Sequence, residues 1–580
     1  MLAELQRAAE SDEAFDVLVI GGGITGVGVA LDAAARGLRT ALVERDDFAS
    51  GTSSKSSKMV HGGLRYLQNG DVRLVYEALR ERRRLMKNAP HLVHVLPFMI
   101  PIMTKDSVVS KKIARALGSA MWMYDLTGGW RIGKFHRRVD AAQAARHFPT
   151  THLDKLSSGY LYFDAGADDA RLTLTIARTA ADRGAVVVNR CGVVDITTDA
   201  DGQANGALVE ADGKRFVVPA TVVVNAAGVW ADDVRALDEA VHPDSIRPAK
   251  GVHLTIPWSK VRNDIAVIIP VRSDKRSLFL VPWGPTADGG FTHCYVGTTD
   301  TDHHGDLDDH QTTAADIGYC LDALNQALDT STTGEITSDD VTGVWSGLRP
   351  LVKTPGIEDG DTGTDTGTGT DTAKPGKTAD LSRRHQVAVS ESGVVRVTGG
   401  KLTTYREMAE DTVEAVLRQL GGRARSGRRT RGRRARGRRT STRRLALLGA
   451  RDHRHTDPAT FTGHLARRYG SLAAEVKALI AFEPSLAEPI APGHPSVLAE
   501  VVYAVRHEMA STLDDVLARR TRLHIFDRSA ALRAAPTVAA LMATELHWDT
   551  DETDRQLDHY RRLCAAEEAA AHDLATNAAD

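Results

Sequence analysis

The sequence predicts an α/β fold with a Rossmann-like dinucleotide-binding domain, a second domain on a mixed sheet and a C-terminal all-α domain. Three observations lead there. Residues Asp16 to Asp46 read strand, glycine turn, helix, strand. From Lys250 to Leu348 the chain breaks into short β-like runs separated by turns. From Leu445 onward it is rich in Ala and Leu with helical periodicity.

The opening unit is the most informative. Val17 to Ile20 is an uninterrupted apolar run, as in a buried parallel strand. Gly21, Gly23 and Gly26 follow in the pattern G-x-G-x-x-G, with Ile24 and Thr25 between them, and an Ala/Val-rich helix is expected from Val27 to Arg36. The first glycine permits the tight turn, the second lets backbone approach a pyrophosphate, and the third lets helix pack on strand. The helix N-terminus favours an anion without any basic side chain. A second strand, Thr40 to Val43, ends in Glu44. A carboxylate there binds ribose hydroxyls and repels a 2′-phosphate, so FAD or NAD is expected rather than NADP.

At 580 residues the chain is long enough for two or three domains, and its 42% apolar and 26% charged residues are those of an ordinary globular protein. A net charge of −2 argues against a protein devoted to nucleic acid. The four cysteines, Cys191, Cys294, Cys320 and Cys564, are scattered, so neither a metal site nor a disulfide framework is indicated. The N-terminal residues are too acidic for a signal peptide, and no apolar run is long enough to span a bilayer. Leu92 to Met103, broken by Pro97 and Pro101, reads as strand and loop.

After Glu44 comes a Ser- and Gly-rich loop containing Thr52, Ser53, Ser57, His61 and Gly62, suited to a path over a pyrophosphate and sugar chain. Arg65 and Tyr66 follow Gly62-Gly63, and Asp71 to Lys87 reads as a basic surface helix. A helix and strand over Arg171 to Val194 are marked by Gly184. Phe216 to Gly228 ends in Asn-Ala-Ala-Gly, where Ala227 and Gly228 let a ligand pass closely, so this strand is expected beside the first. Strand-like runs then begin at His253, Ala266, Leu278 and Tyr295, followed by a helix from Ala314 to Leu328 and the run Val344 to Leu351. Val394 to Glu410 reads strand, Gly399-Gly400, Lys401, then a helix opening near Leu402 or Thr403. Two low-complexity stretches interrupt this order. Residues 355–380 are rich in Thr, Gly and Asp and form no core. Arg423 to Arg444 holds 12 arginines and no acid.

The segments GGGITG, SSKSSKMVHGGLRYL, KGVHLTIP, GLRPL, TGGKLTTYREMAE and YAVRHEMASTLDDVLARRTRL resemble the FAD-dependent, quinone-linked glycerol-3-phosphate dehydrogenase family. The resemblance covers most of residues 15–410 and extends into the helical domain; the two inserts depart from it. It implies an FAD-binding domain over 12–105, 150–249 and 381–420, and a substrate domain over 106–149 and 250–350. The insert at 355–380, an Arg-rich linker at 421–444 and a helical domain at 445–580 complete the division.

The implied reaction is oxidation of sn-glycerol 3-phosphate to dihydroxyacetone phosphate, with the hydride passing to FAD and the electrons to a membrane quinone. A secondary alcohol gives up hydride only as its proton leaves, so a base is needed, and by similarity this is His253. Arg65, Tyr66, Arg349 and Lys401 match the substrate-binding positions, with Arg349 and Lys401 also suited to steadying a developing alkoxide. The cofactor set is Gly21, Gly23, Ile24, Thr25, Gly26, Glu44, Thr52, Ser53, Ser57, His61, Gly62, Val194, Ala227, Gly228 and Thr403, the last expected near the flavin N1 and C2=O. No metal and no nucleic acid are expected. The protein is expected in the cytoplasm, held peripherally on the inner face of the cell membrane, and as a homo-oligomer. Competing readings are an oxidase passing electrons to oxygen, a flavin amine oxidase, and a nucleic-acid- or lipid-binding protein acting through its arginines.

Overall fold

A computed structural model of the chain describes residues 1–11, 13–63, 71–103, 111–271, 276–353, 384–425, 439–451, 453 and 456–577. Arg65 and Tyr66, the 355–380 insert and positions 426–438 of the Arg-rich linker lie outside the described residues.

The first sheet runs in the order Gln386–Val389, Val395–Thr398, Lys214–Asn225, Phe15–Ile20, Thr40–Val43, Val186–Val188. Neighbours in this row are parallel except the outermost pair, Gln386–Val389 with Val395–Thr398, and Ala204–Ala211 and Cys191–Thr198 extend the sheet by antiparallel pairing from Lys214–Asn225. Its central strand shows why the apolar run does not alternate with polar residues. Val17 and Val19 pack with the helices Ile24–Ala35, Asp169–Asp182 and Tyr405–Arg425. Leu18 and Ile20 face an opposite core formed with Leu5, Val209 and Val218. Both faces are buried, as a parallel sheet requires.

The second sheet has ten strands: in order Thr301–Asp302, Ile246–Pro257, Phe291–Gly297, Ser277–Pro285, Ala266–Pro270, Val93–Met103, Leu156–Ala167 and Met59–Val60, with Gly343–Val352 added on Ile246–Pro257 and Arg137–Asp140 on Leu156–Ala167. It is mixed, since Ala266–Pro270 and Val93–Met103 run parallel while the other pairs are antiparallel.

Three differences from the sequence reading concern long-range pairing. Met59–Val60, Val93–Met103 and Leu156–Ala167 fall within the expected nucleotide domain yet hydrogen-bond into the second sheet. Val93–Met103 is one continuous strand despite Pro97 and Pro101; its parallel neighbour meets it only at Phe98 and Met99, so neither missing N–H breaks that ladder. The helix Val72–Asn88, capped by Asp71, is not merely a surface helix: it buries Leu74, Val75, Leu79 and Leu85, and even Glu81 and Arg82, the latter ion-paired with Asp164. The helix after the glycine turn also opens earlier than expected, at Ile24, directly after Gly23 as N-cap.

The C-terminal helices Leu498–Glu508, Arg528–Leu546 and Thr550–Asn577 pack around their own core. This unit docks through buried ion pairs. Asp47, just past the second strand, receives Arg520 Nη1 at 2.6 Å and Nη2 at 2.8 Å, and Arg519 Nε at 2.7 Å. Backbone contact adds to this, with Thr255 Oγ1 donating to Ile525 O at 2.8 Å on the strand that carries His253.

Candidate active site

One cavity of about 470 Å³ runs between the two sheets. Its lining includes Glu44, Cys191, Val193 and Trp230, the turn residues Gly23, Ile24, Thr52 and Ser53, and His253, Arg349 and Lys401. Its size is that of a small-molecule site.

The nucleotide part of this lining is shaped by steric necessity. Gly21 has φ +110°, and a Cβ there would come within 2.7 Å of Ala226 O. A Cβ on Gly26 would lie 1.9 Å from Gly21 O, so turn and helix can meet only through glycine. Glu44 accepts from the backbone N–H of Gly22 at 2.6 Å and of Asp46 at 2.7 Å, which aims its carboxyl at the cavity. Burial outweighs these bonds and lifts its pKa to about 7.

The part around His253 comes from the register of two antiparallel strands. In Ile246–Pro257 and Gly343–Val352, His253 pairs with Trp345, Gly251 with Gly347, and Ala249 with Arg349. The paired glycines leave bare backbone between the imidazole and the guanidinium, and both line the cavity. The His253 ring is flat on Trp345, with centroids 4.7 Å apart and an interplanar angle of 9°. On the other flank, Gly297 faces His253 across the next strand, where a Cβ would sit 2.4 Å from His253 Cδ2. His253 Nε2 lies 2.8 Å from Ser57 Oγ. Its pKa is held well below the ordinary imidazole range by burial, with Lys58 and Arg349 adding to the effect.

Arg349 is pinned more firmly than a free phosphate clamp. Nη1 donates to Asp300 Oδ1 at 3.0 Å, and Nη2 donates to Thr298 Oγ1 and Thr299 O, each at 3.1 Å. Asp300 thus fixes the fork and offsets part of its charge. Lys401 follows Gly399 and Gly400, both at positive φ, and a Cβ on Gly400 would strike Met408 Sδ at 2.4 Å.

Of the residues singled out from the sequence, His253, Arg349, Lys401, Gly21, Gly23, Ile24, Thr25, Glu44, Thr52, Ser53, Ser57, His61, Ala227, Gly228 and Thr403 all line this one cavity. Gly26 and Gly62 act behind it through close packing, Gly62 against Leu79 and Tyr124. Val194 does not line it; its neighbour Val193 does, at a register shift in the strand Cys191–Thr198. Several loop hydroxyls meet protein atoms. Ser53 Oγ accepts from Ile24 N–H at 2.9 Å, Thr52 Oγ1 donates to Leu348 O at 2.5 Å, and Ser57 meets His253. Thr403 Oγ1 exchanges bonds with the backbone of His61, at 3.2 and 3.3 Å. Trp345 and Lys58, whose ammonium lies 4.4 Å from the Trp345 ring centroid, were not anticipated; the odd-numbered set Trp345, Gly347 and Arg349 in one strand carried the signal.

Comparison with known proteins agrees with this architecture. The family described as FAD dependent oxidoreductase matches residues 16–369, and the C-terminal domain of alpha-glycerophosphate oxidase matches 440–553. The chain is 39% identical to glycerol-3-phosphate dehydrogenase 2 of Mycobacterium tuberculosis over 96% of its length and 89% of that protein's. It is 35% identical to the human mitochondrial glycerol-3-phosphate dehydrogenase, covering 97% of this chain and 74% of the other. The crystal structure of the Bacillus halodurans glycerol-3-phosphate dehydrogenase with FAD superposes with a TM-score of 0.72 at 28% identity, over 97% of both chains. The glycine-lined turn and the oriented Glu44 fit the diphosphate and ribose of that cofactor, and FAD is the cofactor of this chain. The chain belongs to the FAD-dependent glycerol-3-phosphate dehydrogenase family.

Proposed function

We propose that the chain oxidises sn-glycerol 3-phosphate to dihydroxyacetone phosphate and delivers the electrons to a membrane quinone, while attached peripherally to the inner face of the cell membrane. The observation that carries this reading is the meeting of His253, Arg349 and Lys401 around the bare Gly251–Gly347 floor of the FAD cavity.

FAD, when bound, supplies the hydride acceptor. The chain supplies the rest. His253 is neutral at pH 7 and takes the C2 hydroxyl proton. Arg349, held by Asp300, and Lys401 meet the phosphate and the oxygen on which charge develops. A phosphate dianion beside Arg349 offsets the charge that depresses the imidazole, so substrate binding itself strengthens the base.

Membrane attachment is supported by exposed apolar side chains within one short stretch of chain, Trp122 58%, Leu126 77%, Trp130 47% and Phe135 60% exposed, interspersed with the exposed cations Lys134, Arg137 and Arg138. Such mixed apolar and basic surface suits an anionic lipid interface. Among the described residues no helix is long and apolar enough to cross a membrane.

The test is anaerobic addition of glycerol 3-phosphate to the purified holoprotein. Bleaching of the flavin bands, followed by rapid recolouring with a soluble quinone analogue, is expected. No bleaching overturns the substrate. Recolouring by oxygen with stoichiometric peroxide, at a rate the quinone does not exceed, makes the protein an oxidase, the activity named for the matched C-terminal domain. Binding to anionic vesicles, lost in Leu126→Glu, tests the surface.

A further inference from the structure

Three contacts fix the His253 ring, and they do different work. Stacking on Trp345 sets its plane, and Gly297 packs along its Cδ2–Cγ edge. Neither distinguishes the ring from its 180° flip about the Cβ–Cγ bond, because an aromatic face and a glycine meet nitrogen and carbon alike. Nδ1 is buried and finds no hydrogen-bond partner among the described residues. The Ser57 hydroxyl, 2.8 Å from Nε2, is the polar contact left to set the flip.

The backbone that carries that hydroxyl is tightly held. Ser56 donates to Asp169 Oδ2 from both its N–H, at 2.9 Å, and its Oγ, at 2.7 Å. Lys58 N–H donates to Ser56 Oγ at 3.0 Å, and its ammonium to Asp169 Oδ1 at 3.2 Å. Tyr295 Oη donates to Ser57 O at 3.0 Å, and Trp345 Nε1 to Ser56 O at 3.2 Å. The backbone on both sides of Ser57 is thus anchored, and the side chain between them faces the ring and lines the cavity. Such pre-organisation of a supporting group is what holds a reactive group in productive geometry.

We propose that Ser57 is the positioning residue of the base: its hydroxyl holds His253 in the flip that presents Nε2 to the cavity, donating to that nitrogen while the ring is neutral and accepting from it once the ring is protonated. A hydroxyl can do both by rotating about Cβ–Oγ; an aliphatic side chain can do neither. The assignment rests on the function proposed above. When the substrate hydroxyl reaches Nε2, the Ser57 O–H turns off that nitrogen and frees its lone pair; as the substrate C2 O–H bond breaks, an Nε2–H bond forms, and the electron pair of the C2–H bond leaves as hydride to the flavin. Two electrons leave the alcohol, and the freed proton resides on His253 with Ser57 Oγ as its acceptor.

The test compares Ser57→Ala and Ser57→Thr as FAD-loaded proteins. Ser57→Ala is expected to keep its flavin spectrum and its KM for glycerol 3-phosphate within about threefold, while kcat falls at least ~10-fold, a part of the 10²–10⁴-fold worth of a general base. The acid limb of its pH profile shifts, and Ser57→Thr, which keeps the hydroxyl, recovers most of kcat. A readout independent of turnover is the ¹⁵N spectrum of histidine-labelled protein, with the His253 signals assigned by their loss in His253→Gln. They shift in Ser57→Ala and stay near the wild type in Ser57→Thr. Unchanged kcat, pH profile and ring signals in Ser57→Ala overturn the proposal, as does a Thr variant no better than Ala when both hold FAD. If glycerol 3-phosphate fails to bleach the wild-type flavin, the proposed function falls while the ring signals still judge Ser57.

Discussion

The imidazole of His253 lies flat on the indole of Trp345, 4.7 Å between centroids and 9° from parallel, because the two residues are direct partners across antiparallel strands. That pair, with Ser57 at the ring's Nε2, orients an imidazole that burial, Lys58 and Arg349 keep neutral, in a cavity also lined by the glycine turn and Glu44.

Removing the proposed base should leave the cofactor in place, since Gly21 and Glu44 are set by contacts that do not involve His253. His253→Ala is expected to retain FAD and lose on the order of 10²–10⁴-fold in kcat. The pH profile carries a second expectation. A base must be unprotonated, and burial with Lys58 and Arg349 holds His253 well below pH 6.5. The acid limb of kcat/KM for the wild type should therefore lie below pH 6.5; a limb at 6.5 or above contradicts the depressed imidazole.

Arg349 acts as a fork held by Asp300 and two threonines, so its replacement by lysine is not conservative. Arg349→Lys and Arg349→Ala should both raise KM for glycerol 3-phosphate, by about 10-fold or more for Ala. Asp300→Asn, which leaves the fork but removes the opposing charge, should perturb the fork's aim and change KM less. An unchanged KM in Arg349→Ala rules out the phosphate contact.

Glu44 gives a signature in the FAD-free protein. Its carboxyl is raised to about 7 by burial, so between pH 4.5 and 7 the folded state binds more protons than the unfolded one, and stability must fall as pH rises across that window. The size is on the order of 3 kcal/mol. Denaturant melts of the stripped protein from pH 4.5 to 7 should show this decline, and Glu44→Gln should flatten it while weakening FAD binding.

Asp47 anchors the helical domain by receiving both Arg519 and Arg520 in a buried site. Asp47→Ala leaves two buried guanidinium groups short of a partner, which costs about 3–5 kcal/mol. Chemical denaturation should register that loss. Replacing an exposed partner such as Asp558, which pairs with Arg561 on the last helix, should change stability by less than about 1 kcal/mol.

Much of the nucleotide half is readable from residues near one another in the chain. The glycines at 21, 23 and 26, the strand Thr40–Val43 and Glu44 follow from local rules: an apolar run buried on both faces, and positions where a Cβ would strike backbone. The helical reading of the C-terminal part likewise rests on local periodicity. Even there, the helix Val72–Asn88 looked like surface because its buried Glu81 and Arg82 find their partners elsewhere in the fold.

The part of the cavity around His253 required the third dimension. Trp345 under His253, the bare floor of Gly251 and Gly347, and the fork of Arg349 all depend on the register of two strands, and a slip of one residue would turn every one of these side chains to the other face. Ser57 meets His253 across 196 residues, and Asp47 meets Arg520 across 473. Such pairs leave no periodicity in the chain, because a hydrogen bond or an ion pair is selected by distance in the folded state. The chemistry of each side chain was written in its identity, but which chemistry it performs was decided by the neighbours that folding brought within 3 Å.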